Sequence, residues 1–385
     1  MPWTNTALPP LIGHTPLEGG APRARDLGLH FAGVPGPWNA ITDVPGVEVG
    51  CVTLLGESGS GKAIRTGVTA ILPRGRQALG RSCAAGLHSL NGNGELTGSA
   101  WIEESGGLAM PILLSNTHSV GACHHGSLQW VLQQQPQLGR QWLLPVVGET
   151  WDGYLNDING QHVLPEHAAL ALESASSGAV PEGAAGGGTG MNCYAFKAGN
   201  GTASRQVRFG AQHFTVGVFL QANFGVRQEL RIGGVDVGAA LAADNPLQAH
   251  FGDAPAGAGS CLAIVATDAP LLPLQCKALA RRVGLGIART GTCGSHFSGD
   301  LFMAFSTANA GALDSRFPGS EPEDAVLRSL CFVPWGHVDA LYTAVVEATE
   351  EAVVNALVAG RSMVGLDGRR SPGIPHAELQ RLLAR

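Results

Sequence analysis

One glycine–serine pair, set in a run of small residues, has the clearest chemical potential in the sequence. Residues 254–258 read Ala-Pro-Ala-Gly-Ala, Gly259 and Ser260 follow, and an apolar run starts at Cys261. Glycine at position 259 frees the backbone and leaves its carbonyl carbon sterically open. The Ser260 hydroxyl is therefore placed to attack that carbonyl and to shift the acyl group from nitrogen to oxygen. Hydrolysis of the resulting ester frees Ser260 as a new amino terminus.

The α-amine freed by this cleavage is the second reactive group. Its reference pKa is about 7.7 to 8.0, so near pH 7 it is partly neutral and can act as the base for its own hydroxyl, without a catalytic histidine. The local sequence does not require this chemistry, because a glycine-rich loop that enters a buried strand has the same composition. Cys261 is a competing nucleophile if cleavage falls one residue later, because thiolates are intrinsically reactive.

Hydrophobic periodicity and breaker residues predict the elements that must position this pair. Short apolar runs bounded by Gly, Pro or Asn predict strands at 47–54, 68–72, 110–114, 207–222 and 262–266. Helix-forming runs predict helices at 127–135, 166–175, 273–283 and 338–359. Residues 183–190 predict a flexible glycine belt, and the Pro- and Gly-rich first 38 residues predict an irregular arm suited to wrapping another subunit or domain. Without a charged or Ser-rich linker, we expect a single interwoven α/β layered domain over residues 1–385.

Composition and charge narrow the class of partners. Charged residues make up only 14% of the chain against 44% hydrophobic residues, which predicts a tightly folded soluble protein. The net charge of -6 is scattered, so it predicts neither nucleic-acid nor membrane binding, and no apolar run approaches a membrane span. The eight cysteines form no CxxC pair, and the amino terminus lacks a signal-peptide pattern. These features predict a cytoplasmic protein with small-molecule partners.

Two further motifs resemble ligand sites but lack the required spacing. The Gly-Gly-Gly-Thr-Gly run at 186–190 has neither the GxGxxG spacing nor the Walker lysine of phosphate loops, and we expect it to shape a substrate wall. Cys123, His124 and His125 have no partner pair at a known zinc spacing, and we expect a solvated turn. We therefore predict no metal and no cofactor. A solvated face is expected for the acidic residues of the last long helix, Glu347, Glu350 and Glu351.

Nine stretches along the chain match one known family. They are ITDVPGVEVG (41–50), TGVTAILPRG (66–75), LNGNGELTG (90–98), VVGETWDGYLNDI (146–158), GGGTGM (186–191), QANFG (221–225), SCLAIVATDAPLLP (260–273), SGDLF (298–302) and ATEEAVVNAL (348–357). The sequence resembles the self-processing serine aminopeptidases known as L-aminopeptidase/D-amidase-esterases, with the β-aminopeptidases as close relatives. The resemblance implies release of amino-terminal residues from short peptides, amides or esters. It also implies an αββα four-layer sandwich like that of amino-terminal-nucleophile hydrolases, cleavage into associated chains 1–259 and 260–385, and a homotetramer.

The resemblance also implies roles for individual residues. Ser260 matches the nucleophile, and Asn223 in QANFG matches the side chain that helps to form the oxyanion hole, where an amide stabilises negative charge without ionising. Ser298 and Asp300 in SGDLF match the pair that orients and tunes the nucleophile, through a hydroxyl contact and a carboxylate near the ammonium. Glu149 in GETWDG is expected to hold the free amine of the substrate, because a carboxylate is the natural anchor for an ammonium group.

Two segments depart from the family pattern. The family commonly has Tyr where this chain has Trp151 in the substrate-binding segment, and indole offers only an N–H donor in place of the phenol. Tyr154 is the nearby phenol that is a candidate to replace it. His296 and Phe297 precede Ser298 where small residues are usual, which predicts a narrower pocket. Two alternatives stay open: an acyltransferase of the same clan, which uses an amino-terminal Thr, and a catalytically silent binding or scaffolding homologue.

Overall fold

The computed structural model describes residues 21–251, 259–317 and 326–384 of the 385-residue chain. The first part of the amino-terminal arm and the small-residue tract at 252–258 therefore lie outside the described residues. The strands and helices, in chain order, are β1 (Glu48–Glu57), β2 (Ala63–Leu72), β3 (Cys83–Gly92), α1 (Ser99–Ser105), β4 (Gly107–Leu108), β5 (Ile112–Asn116), α2 (Val120–Gln134), β6 (Val146–Thr150), α3 (Pro165–Glu173), β7 (Asn192–Cys193), β8 (Phe196–Lys197), β9 (Asn200–Phe209), β10 (Gln212–Asn223), α4 (Val237–Ala240), α5 (Pro246–Phe251), β11 (Gly259–Thr267), α6 (Pro273–Ala288), β12 (Ser298–Ser306), α7 (Asp339–Ala359), β13 (Met363–Val364), β14 (Arg370–Ser371) and α8 (His376–Leu383).

Two β-sheets form the middle layers of the molecule. The smaller sheet has the strand order β1-β2-β5-β6, and the larger has the order β4-β3-β12-β11-β10-β9. Strands β10 and β11 run antiparallel, whereas β11 and β12 run parallel. A parallel pair needs a crossover connection, which α6 supplies between β11 and β12. The amino-terminal ends of β11 and β12 therefore lie side by side, next to the carboxyl-terminal end of β10.

Successive side chains along a strand point to opposite faces of the sheet. Both faces of each sheet are buried, one against the other sheet and one against helices. Along β11, Leu262 and Ile264 pack between the two sheets, whereas Ala263 and Val265 pack against α6 and α7. Helices α2 and α3 cover the outer face of the smaller sheet in the same way. The layer order is αββα, so the expected four-layer sandwich is confirmed.

The strand expected over 207–222 is in fact a hairpin. Strand β9 ends at Phe209 and β10 begins at Gln212, with Phe209 paired to Gln212 across the turn. Gly210 has a φ of +60°, in the left-handed region that such tight turns require. The expectation of one continuous strand was wrong because Gly210 is the single residue in this stretch that signals the turn.

The glycine belt at 183–190 is packed rather than flexible over its central part, because Gly186 and Gly187 are buried. Their backbone N–H groups donate to the hydroxyls of Thr53 and Thr69 at 2.9 and 3.1 Å. A Cβ at Gly187 would come within 2.2 Å of the side-chain oxygen of Gln221. Glycine is needed here for close packing of the backbone.

The described part of the amino-terminal arm packs against its own chain. Arg23 pairs with Glu182 at 2.7 Å and donates to the carbonyl oxygen of Thr202 at 2.7 Å. Arg25 reaches the Glu351 carboxylate on α7 at 2.6 Å. These contacts join the arm to the helix layer on the larger sheet.

Glu351 does not lie on a solvated face, so that expectation was wrong. Its side chain is fully buried and accepts hydrogen bonds from Arg25, from Arg205 at 2.7 Å and from the Asn39 amide at 2.6 Å. Burial acts to raise the pKa of this carboxyl, but the hydrogen bond from Arg25 and the charge of Arg205 outweigh it, so the pKa is lowered. Glu347 contacts Arg205 at 3.6 Å.

The state of the cysteines and the character of the helices can be compared with what the sequence predicted. All eight cysteines are free thiols. Cys123 lies in α2 rather than in a solvated turn, and burial raises the pKa of its thiol to about 12. Within residues 21–251, 259–317 and 326–384, no helix combines the length and the apolar composition needed to cross a bilayer.

Candidate active site

Ser260 lies at the start of β11, between two strand ends that carry three of the other candidate residues. Asn223, the last residue of β10, is its direct antiparallel partner. Ser298, the first residue of β12, is the parallel partner of Gly259, and Asp300 is the partner of Cys261. Residues far apart in sequence therefore meet at one edge of the larger sheet, because three neighbouring strands begin or end there.

Two donors converge on the Ser260 hydroxyl, whose side chain is buried. The Asn223 amide nitrogen and the backbone N–H of Trp151 each donate to Ser260 Oγ at 3.4 Å. The Asn223 amide is fixed from both ends: Nδ2 donates to the Trp151 carbonyl oxygen at 2.9 Å, and Oδ1 accepts the Asn192 N–H at 3.0 Å. An oxyanion hole also uses fixed donors of this kind, but aims them at the substrate oxygen that becomes charged rather than at the nucleophile itself.

Ser298 and Asp300 form a hydrogen-bonded unit beside the nucleophile strand. Ser298 Oγ donates to Asp300 Oδ1 at 2.7 Å, and the Asn91 amide donates to Oδ2 at 3.0 Å. Burial raises the pKa of the Asp300 carboxyl, and hydrogen bonds from Ser298, Asn91 and the Cys261 backbone offset the effect only in part. A cavity of about 300 Å³ adjoins both side chains.

Glu149 is the last but one residue of β6 and presents a buried carboxylate near the same strand ends. The carboxylate accepts the Glu95 backbone N–H at 3.0 Å and the Thr117 hydroxyl. A Cβ placed on Gly94 would lie 3.4 Å from both Glu149 Oε1 and the Cα of Gly299, the β12 partner of Ser260. Burial raises the pKa of Glu149, and the Thr117 hydroxyl partly opposes this effect.

Trp151 takes part in the site through its backbone. Its N–H and carbonyl contact Ser260 and Asn223, while the side chain is 42% exposed. The Tyr154 hydroxyl donates to the Arg370 carbonyl oxygen at 3.0 Å, so the structure directs this phenol towards β14 rather than to Ser260.

The two residues before Ser298 lie at the surface. The rings of His296 and Phe297 contact each other edge to face, with centroids 5.2 Å apart, and both side chains are exposed. Cys261, the competing nucleophile, is fully buried, and burial raises the pKa of its thiol well above the usual range. It packs within β11, in the core between the larger sheet and its helices.

Sequence reasoning missed several members of the site. Asn91 lies within the matching stretch 90–98, and its pairing with Asp300 across β3 and β12 gives it a place beside the nucleophile. The Thr117 hydroxyl follows a buried strand end and had no motif to mark it. The backbone donors of Trp151 and Asn192 have no side-chain signal, so only the fold reveals them.

Known proteins resemble this chain in sequence over nearly its whole length. Residues 39–371 match the model of peptidase family S58. The beta-peptidyl aminopeptidase BapA of Sphingosinicella microcystinivorans is 45% identical over 388 aligned positions, which cover 97% of this chain and 94% of that protein. The protein of the same name from Sphingosinicella xenopeptidilytica is 43% identical, with 94% of this chain and 91% of that protein covered.

Two solved structures share the fold. The Burkholderia sp. beta-aminopeptidase superposes with a TM-score of 0.86 at 46% identity, and covers 94% of this chain and 98% of its own. The L-aminopeptidase D-Ala-esterase/amidase of Ochrobactrum anthropi, described as a prototype serine aminopeptidase with a variant of the Ntn hydrolase fold, gives a TM-score of 0.86 at 44% identity over the same shares. Because the family match and these similarities extend over nearly the whole chain, the protein belongs to peptidase family S58 and is an aminopeptidase with an amino-terminal serine nucleophile.

Proposed function

We propose that the chain cleaves itself between Gly259 and Ser260 and then uses the freed Ser260 to release amino-terminal residues from short peptides, amides or esters. The observation that carries this proposal is the convergence of the Asn223 amide and the Trp151 N–H on Ser260 Oγ, directly after Gly259. Such donors stabilise the oxyanion of a tetrahedral intermediate and thus serve self-cleavage and turnover alike.

Self-cleavage begins with attack of Ser260 Oγ on the Gly259 carbonyl carbon. The hydroxyl proton is transferred to the departing Ser260 nitrogen as the C–N bond breaks, and an ester joins the two residues. Water then hydrolyses this ester and leaves the Gly259 carboxylate and the Ser260 α-amine. Strands β11 and β12 lie inside the larger sheet between β10 and β3, so the proposed chains 1–259 and 260–385 share one sheet within a single domain.

Turnover repeats the same chemistry on a substrate. The neutral α-amine accepts the Ser260 hydroxyl proton, Oγ attacks the substrate carbonyl, and Asn223 and Trp151 donate to the oxyanion. The proton passes to the leaving amine or alcohol, and water hydrolyses the acyl-enzyme. The Ser298–Asp300 unit orients the nucleophile and provides negative charge near its ammonium form.

Glu149 gives this reaction its requirement for a free amino terminus. Its ionised carboxylate pairs with the substrate ammonium, which an acylated amine cannot replace. The Sphingosinicella relatives are named beta-peptidyl aminopeptidases and the Burkholderia structure a beta-aminopeptidase, which supports an amino-terminal β-residue among the accepted substrates.

Assembly and location form a separate part of the proposal: a homotetramer in the cytoplasm. Exposed apolar side chains at Val326, Leu327, Phe332 and Trp335 favour contact with another copy. Eight free thiols favour a reducing compartment. We expect light scattering to give the mass of four copies of the 385-residue protein. We also expect the protein to be recovered in the cytoplasmic fraction. A monomer, or recovery outside that fraction, would contradict the corresponding part.

Denaturing electrophoresis and a chromogenic assay test the enzymatic proposal. We expect two bands, corresponding to residues 1–259 and 260–385, and hydrolysis of an amino acid p-nitroanilide. Ser260→Ala is expected to give one uncleaved band and no hydrolysis. An uncleaved wild-type chain after long incubation, or hydrolysis retained by Ser260→Ala, would overturn the proposal.

A further inference from the structure

Lys197 is a fully buried lysine for which the reaction above has no role. Its ammonium donates to the carbonyl oxygens of Met191 at 2.7 Å and Ala198 at 2.6 Å, with Gly188 at 3.4 Å. Removing a charged group from water costs several kcal/mol even after the surroundings relax. The three carbonyl oxygens replace part of the lost hydration. An apolar side chain of similar length would fill the same space without this cost, so packing alone does not explain a lysine at this position.

The Met191 carbonyl connects this lysine to the oxyanion hole. The same peptide unit carries the Asn192 N–H, which donates to Asn223 Oδ1 at 3.0 Å. At the other end of that amide, Asn223 Nδ2 donates to Ser260 Oγ at 3.4 Å. Two planar amide groups therefore join the Lys197 ammonium to the Ser260 hydroxyl, and every hydrogen bond in the chain has the same donor-to-acceptor direction.

This direction has two consequences for Asn223. The Asn192 N–H can donate only to the oxygen end of the carboxamide, so the NH₂ end is held towards Ser260 and the Trp151 carbonyl. The ammonium also polarises the Met191–Asn192 peptide, and successive hydrogen bonds in such a chain strengthen one another. The Asn223 amide is thereby made a stronger donor.

We propose that Lys197 is a positioning residue for the oxyanion hole, which acts on Ser260 only through the Met191–Asn192 peptide and the Asn223 side chain. The proposal rests on the proposed function of Ser260 and Asn223. Burial lowers the pKa of Lys197 to about 7, and the negative charge of Asp152, which follows Trp151, opposes this shift.

A double-mutant cycle separates this role from a merely structural one. We expect Lys197→Met to lower kcat and the rate of self-cleavage about tenfold, with KM nearly unchanged, because the oxyanion donor acts mainly in the transition state. In an Asn223→Ala background, the same substitution is expected to change both rates less than about twofold. Turnover is expressed per cleaved chain.

Controls keep the result decisive. Lys277→Met removes a lysine that pairs with Glu103 at 2.8 Å on the surface, and both rates are expected to stay at the wild-type value. If Lys197→Met does not fold, Lys197→Gln, which keeps a neutral donor, takes its place in the cycle. Effects of Lys197→Met that are equal in the two backgrounds, or absent from both, overturn the proposal. Hydrolysis retained by Ser260→Ala, measured in parallel, instead overturns the proposed function.

Discussion

Asn223 and Ser260 are direct partners across the antiparallel pair β10–β11, and the Asn223 amide nitrogen lies 3.4 Å from the Ser260 hydroxyl oxygen. A slip of one residue would turn every side chain of one strand to the opposite face of the sheet. The alternating burial along β11, with Leu262 and Ala263 in different cores, specifies this register. Packing of the two cores thus fixes the geometry of the site.

Loss of the Asn223 amide is expected to weaken catalysis more than binding. Two groups donate to Ser260 Oγ, the Asn223 amide and the Trp151 N–H, and Asn223→Ala removes the first of them. The loss of one oxyanion-hole donor lowers kcat by about 10²- to 10³-fold. Steady-state kinetics with a p-nitroanilide substrate measure the effect, with turnover expressed per cleaved chain. Asn245→Ala is the matched control, because Asn245 is half-buried and its side chain hydrogen-bonds to Gln248, away from Ser260. A kcat of Asn223→Ala within twofold of wild type would show that Asn223 is not an oxyanion-hole donor.

A methyl group at position 259 is expected to slow self-cleavage. A Cβ on Gly259 would lie 2.3 Å from the Asn223 carbonyl oxygen, so Gly259→Ala has to displace the backbone that positions the amide donor. Time courses on denaturing gels measure the uncleaved fraction. Gly284→Ala is the control, because its nearest contact would be 4.0 Å away, at Phe302. Equal cleavage rates for Gly259→Ala and wild type would show that close approach at residue 259 is unimportant.

The burial of single strands was predictable from sequence, since short apolar runs such as 262–266 have to be buried on both faces, whereas the four-layer order followed only from the family resemblance. What periodicity missed depends on single residues or on distant partners. Gly210 makes a hairpin within an apolar run, and Glu351 is buried only because Arg25 and Arg205 arrive from other elements. A charged residue on a helix carries no local sign that such partners exist.

The site divides along a similar line. Motif resemblance identified Ser260, Asn223, Ser298 and Asp300, and the fold brings all four to one sheet edge. Their roles remain predictions until the variants are measured. Resemblance drew attention to the Trp151 side chain, whereas the structure places its backbone against the nucleophile. Backbone donors depend on strand geometry rather than on residue type, so no sequence motif indicates them.

Glu149 is expected to control the affinity for substrates with a free amino terminus. Glu149→Gln removes the negative charge that pairs with the substrate ammonium, so we expect KM to rise about tenfold or more, with a smaller change in kcat. Because burial raises the Glu149 pKa, the wild-type KM should begin to rise on acidification at a higher pH than an ordinary glutamate predicts. This rise should be absent from Glu149→Gln.

Kinetics with matched free and N-acetylated substrates over a range of pH measure the effect of Glu149. Glu104→Gln is the control, because Glu104 is exposed on α1. If Glu149→Gln keeps the wild-type preference for free amines, another group binds the ammonium.

Glu351 is expected to stabilise the folded protein strongly, because its carboxylate pairs with Arg25 of the amino-terminal arm and with Arg205. Glu351→Gln leaves Arg25 and Arg205 without their shared carboxylate, and removal of one partner from a buried ion pair costs about 3–5 kcal/mol. The folded-state pKa of Glu351 is lowered, so its stabilising effect is complete above the unfolded pKa and is lost as pH falls through the folded pKa. The difference in stability between Glu351→Gln and wild type should therefore narrow on acidification.

Urea denaturation at several pH values measures this difference in the free energy of unfolding. The control is Glu103→Gln, which breaks the surface pair with Lys277 and should cost at most about 1 kcal/mol. A loss that stays constant from neutral to acidic pH would mean that packing, rather than charge, accounts for the effect.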